Sequence, residues 1–78
     1  NQVKIRVKVD KSGRYSLGVY NVVGQRVRVL WSGNRDAGDY ELVWDGRDEH
    51  NRRLPAGVYY LIYRSGSLKY TRKLVLIR

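Results

Sequence analysis

Seventy-eight residues with no cysteine make one small domain, residues 1–78, that can draw on neither a disulfide nor a thiolate metal site for stability. Sixteen Lys and Arg against seven Asp and Glu leave a formal charge of +9, a surface that attracts anions at low salt. No run approaches the ~18 apolar residues that a membrane span needs, and a chain this short buries only about 60–65% of the surface its unfolded form exposes, so its core is small.

The first element is read from Val3, Ile5, Val7 and Val9, which alternate with Lys4, Arg6 and Lys8. Period-two alternation is the mark of a half-buried strand, here with a basic outer face. Ser12-Gly13 turns the chain. Tyr15, Leu17 and Val19 form a second strand, with Gly18 at a point of close packing. Asn21 to Gly24 make a short loop. Val27, Val29 and Trp31 are expected to share one face of a third strand, opposite Arg26 and Arg28. Ser32-Gly33-Asn34 and Ala37-Gly38 punctuate the loop that follows. Residues 39–44, 57–64 and 68–77 complete a set of six strands.

Turn signals fall every eight to twelve residues or so, and no useful window has helical periodicity. The expected architecture is all-β, an antiparallel β-sandwich of about six to seven strands, which the family resemblance described below makes Ig-like. No internal repeat or low-complexity segment interrupts it. Phe and Met are absent, so seven Tyr and two Trp supply the bulk, which suits a thin sandwich whose side chains keep one wet end. Val7, Leu17, Val19, Leu42, Trp44, Tyr59 and Leu61 are the expected core.

Between the fourth and fifth strands lies WDGRDEHNRRLPAG, residues 44–57. Gly46 and Asn51 can take a positive φ, and Pro55 suits a loop but not a central strand. Asp45 is placed to accept a backbone N–H near Arg47. This loop also holds the chain's single histidine, His50. A nucleophilic triad needs a base beside a Ser or Cys, and His50 lies instead among charged residues, where it reads as solvated. Asp45, Asp48 and Glu49 sit beside Arg47, Arg52 and Arg53, so ion pairing describes them better than acid–base work or calcium ligation. No catalytic group, metal or cofactor is expected.

Taken in order, VYNVVGQRV at 19–27, AGDYELVWDGRD at 37–48, LPAGVYYLIY at 54–63 and TRKLVLIR at 71–78 resemble the C-terminal sorting domain of type IX secretion cargo. The same pattern is similar to the Ig-like domain of the flagellar hook-capping protein. The first resemblance implies a non-enzymatic sorting domain at the end of a longer secreted protein. Its partners would be the outer-membrane secretion machinery and a sortase-like protease. Its destination would be the exterior or the cell surface, reached through the periplasm of a Gram-negative bacterium. By that comparison Gly57 and Tyr59 belong to the signal, with Lys73 as the basic residue before the apolar run Leu74, Val75, Leu76 and Ile77, and Arg78 as the terminal basic residue. The second resemblance implies a structural Ig-like accessory or assembly module. A basic module that binds polyanions weakly, without preference for a nucleic-acid sequence, is a further reading that the +9 charge leaves open. Two features depart from the sorting pattern: Asn1-Gln2 runs straight into the first strand, so the Asn-Pro-rich lead-in common in that family is absent or was cut away, and Asn51 stands where relatives often carry Gly.

Overall fold

Six strands account for most of the computed structural model, which describes residues 2–77: β1 Val3–Val9, β2 Gly13–Tyr20, β3 Arg26–Arg35, β4 Gly38–Trp44, β5 Gly57–Ser65 and β6 Leu68–Leu76. No helix occurs among the described residues. Every strand pairing is antiparallel. One sheet has two strands in the order β1-β4, and the other has four in the order β3-β2-β5-β6. The fold is an Ig-like β-sandwich: alternation and turn spacing lead one to expect the sandwich, and the family resemblance its Ig-like form.

Alternation decides which side chains meet between the sheets. In β1, Ile5 and Val9 are buried while Lys4, Arg6 and Lys8 face water. Leu17 and Val19 of β2, Trp44 of β4, Tyr59 and Leu61 of β5, and Leu74 and Leu76 of β6 complete the core with Trp31 of β3. Val7 and Leu42, expected inside, are only partly buried and pack against the core from its margin. A sheet of two strands cannot cover a sheet of four, so the positions near its open side stay half wet.

The aromatic side chains form the centre of the sandwich. Trp44 is fully buried (0% exposed) and meets Tyr59 edge-on, with ring centroids 5.3 Å apart at 72°. Its indole N–H donates to the Arg47 carbonyl at 3.1 Å, so the buried donor is satisfied. Trp31 packs on Tyr40 at 5.0 Å, and the Arg35 guanidinium lies 4.7 Å from its ring centre.

Three strands begin with the same local device, a triplet too short to make an internal repeat. Gly13-Arg14-Tyr15, Gly38-Asp39-Tyr40 and Gly57-Val58-Tyr59 each open a strand with Gly-x-Tyr. In each, the tyrosine hydroxyl donates to the carbonyl four residues upstream: Tyr15 to Lys11 at 2.6 Å, Tyr40 to Asp36 at 2.7 Å and Tyr59 to Pro55 at 2.7 Å. The ring enters the sandwich while its hydroxyl ties down the incoming loop, the logic of the tyrosine corner of Ig-type sandwiches.

β3 departs from the expected alternation. Its register with β2 slips twice: Leu17 faces Trp31 but Gly18 faces Val29, and Val19 faces Arg28 but Tyr20 faces Arg26. Leu30 and Val27 are thus the extra residues of two bulges, and each bulge switches the face that follows. Val27, Leu30 and Trp31 pack on the core and Val29 does not, so the expected single face of Val27, Val29 and Trp31 is wrong. The segment Ser32-Gly33-Asn34, read as loop, continues β3 and pairs with Ser16, Tyr15 and Arg14.

Candidate interaction surface

The loop after Trp44 is built by its own carboxylates. Asp45 accepts the Arg47 N–H at 3.0 Å. Asp48 accepts the backbone N–H groups of His50 at 2.9 Å and Arg52 at 3.0 Å, and the Arg52 Nε–H at 3.1 Å. Those donors, the Arg52 backbone N–H first, hold the Asp48 carboxyl below its ordinary value against the opposing effect of burial. Gly46 at φ 76° and Asn51 at φ 63° supply the left-handed turns.

The bulges of β3 turn Arg28 toward this loop. Its guanidinium reaches Asp45 at 3.3 Å, Glu49 at 3.6 Å and the Arg47 carbonyl at 3.2 Å. Glu49 also accepts the Val29 N–H at 2.8 Å and donates its own N–H to Val27 O at 3.0 Å. The loop thereby closes the outer edge of β3 at Val27 and Val29, one of the ways sheets protect an edge. Arg28, expected on a free basic face, is instead engaged with two acids. His50 is exposed and lies in this structural loop, and no metal-binding cluster of His, Asp or Glu occurs among the described residues.

The residues singled out near the end of the sequence are brought together. β6 forms the far edge of the larger sheet and pairs with β5, so that Gly57 faces Leu76, Val58 faces Val75, Tyr59 faces Leu74 and Tyr60 faces Lys73. The Gly-Val-Tyr motif and the closing basic-apolar run therefore occupy the same rungs. Leu74, Leu76 and Tyr59 point into the core, while Lys73, Val75 and Ile77 are open to solvent. Arg78 lies outside the described residues. A partner approaching this edge would meet Lys73, Val75 and the β6 backbone, not the buried leucines.

The outer face of the larger sheet is one-sided in charge. β2, β3, β5 and β6 contain no acid. One cross-strand row runs Arg26–Tyr20–Tyr60–Lys73 through all four strands. Gly18 makes room for it: a Cβ there would lie 3.3 Å from the Tyr20 ring and 3.4 Å from Arg26 Cδ. The row was not visible in the sequence, because it depends on the register of three separate strand pairs.

The family model described as the FlgD Ig-like domain matches residues 1–65. The chain belongs to that family. The match takes in β1 to β5, leaving β6 beyond it. A solved structure of FlgD from P. aeruginosa has the same fold, with a TM-score of 0.73 and 23% sequence identity over 97% of this chain. This chain spans 61% of that protein's length. No curated protein matches the sequence.

Proposed function

We propose that the chain is a non-enzymatic Ig-like accessory module of hook-capping type, through which a longer protein takes part in assembling a structure outside the cell. Membership of the FlgD Ig-like family carries this reading. The chemistry agrees with it: each carboxylate cluster is spent on loop hydrogen bonds or ion pairs, and the single histidine stands in the same loop. The acid-free sheet face and the open β6 edge are surfaces that an assembly partner could use.

The position of β6 favours a second reading. It is an edge strand, it ends in the basic-apolar run, and it lies beyond the matched family region. Under that reading the chain directs a cargo to the type IX translocon of a Gram-negative envelope, and the translocon and a sortase-like protease are its partners. One experiment separates the two. The chain is fused behind a periplasmic reporter in a host with a working type IX system, beside a variant carrying Lys73→Gln and Arg78→Gln. The assembly reading expects both reporters to stay in the periplasm. Surface display of the first alone would establish the sorting reading in its place.

A further inference from the structure

The two-stranded sheet stops at β1. β4 occupies one side of that strand, and among the described residues the β1 backbone pairs with nothing on the other. Beside this free edge a groove of about 850 Å³ runs between β1 and β6. Its floor is aromatic: Tyr63 stacks on Tyr15 at 5.5 Å and leans on Tyr70 at 6.2 Å.

One end of β6 leaves this floor uncovered. Leu68 and Tyr70 share the face of the strand that carries buried Leu74 and Leu76, so they point toward the opposite sheet. They are nonetheless 57% and 62% exposed. The short sheet covers the Leu74 end and leaves the Leu68 end bare. A third strand beside β1 would lie over these residues.

β4 shows what chemistry suits a neighbour of β1. Its Asp39 faces Lys8, and its Glu41 faces Arg6 with the charged groups 3.6 Å apart. Alternating with them, Tyr40 and Leu42 face Val7 and Ile5 and pack on the core. On the free side, Arg6, Lys8, Lys11 and Arg72 line the groove against a single acid, Asp10.

The geometry points to strand addition at this edge by an extended acidic–apolar segment of a partner protein. Its main chain pairs with β1, its apolar residues cover Leu68 and Tyr70, and its Asp or Glu residues between them meet Arg6 and Lys8. A second copy of this chain does not fit. The free edge it would offer in a two-fold pair is its own β1, whose Lys4, Arg6 and Lys8 would stand against the same cations, and two molecules of charge +9 repel each other. This inference goes beyond the assembly reading, because it assigns a surface and a peptide chemistry that hold whatever the parent protein assembles.

The test uses a fluorescein-labelled peptide with the sequence of residues 37–45, AGDYELVWD, which already carries the required pattern. Binding to the 78-residue chain is followed by anisotropy, and its location by amide chemical shifts. Saturable binding is expected, with shifts in β1 and at Leu68 and Tyr70. Leu68→Ser, at an exposed position, is expected to leave the melting temperature unchanged and to weaken binding about tenfold or more, as is replacing the peptide's three acids by Lys. Four results would overturn the inference: no saturable binding at millimolar peptide, equal binding of the Lys peptide, shifts confined to Tyr20, Tyr60 and Lys73, or loss of the native β4 resonances, which would mean strand exchange.

Discussion

Removing a single oxygen from Tyr59 separates its structural role from any role in recognition. The side chain is 6% exposed, its ring braces Trp44, and its hydroxyl donates to Pro55 O at 2.7 Å. Tyr59→Phe keeps the ring and deletes only that hydrogen bond. A typical intramolecular hydrogen bond contributes about 0.5–1.5 kcal/mol net, and this one is partly shielded from water, so a loss of about 1–1.5 kcal/mol is expected. Tyr15→Phe and Tyr40→Phe delete the same device where it is exposed. There water replaces the lost partner, and each change should cost at most about 0.5 kcal/mol. In a domain of this size 1 kcal/mol moves the melting temperature by roughly 4–8 °C. Urea unfolding followed by Trp fluorescence measures all three variants on one scale. Equal losses in the three, or no loss in Tyr59→Phe, would refute the argument that burial sets the strength of the tyrosine corner.

Trp44→Ala should cost about 3–5 kcal/mol, because the ring is fully buried and the cavity lies between two sheets that cannot close on it. Against a total stability of roughly 5–10 kcal/mol that loss removes much of the margin, and circular dichroism should show a sharply lowered melting temperature. Asp48 has its carboxyl held below the ordinary value, so it stabilises the fold above the unfolded-state pKa and that contribution disappears as pH falls through the lower folded value. Asp48→Asn should therefore lower the urea midpoint at pH 7 and flatten its decline as pH falls below the ordinary carboxylate range. The acid-free sheet face should bind heparin or single-stranded DNA weakly and without sequence preference, with affinity that collapses as salt rises. Base-selective binding that survives high salt would contradict it.

The sandwich was legible because most of its strands obey period two. Ile5 and Val9 alternating with exposed Lys4, Arg6 and Lys8, or Leu42 and Trp44 alternating with Glu41 and Val43, define a face without any knowledge of the partner strand. The Asp45 turn and the left-handed Asn51 were legible for the same reason: both are settled within a few residues. β3 was not. Its bulges at Leu30 and Val27 exist only in relation to β2, and they carry Val29 off the core and Arg28 onto Asp45 and Glu49. The interaction surfaces were illegible on similar grounds. The row Arg26–Tyr20–Tyr60–Lys73 draws on four strands, and the groove beside β1 reflects a strand count that no local pattern states. Gly-x-Tyr at three strand starts was the local signal that could have been read earlier, since each triplet follows a loop and opens an apolar run.

Deleting this module from its parent protein in the native host, with export and assembly scored together, tests the account most directly. The assembly reading predicts that the shortened parent still leaves the cell in normal amounts while the extracellular structure fails to form, and that restoring residues 1–78 restores it. Retention of the shortened parent in the periplasm would contradict that reading.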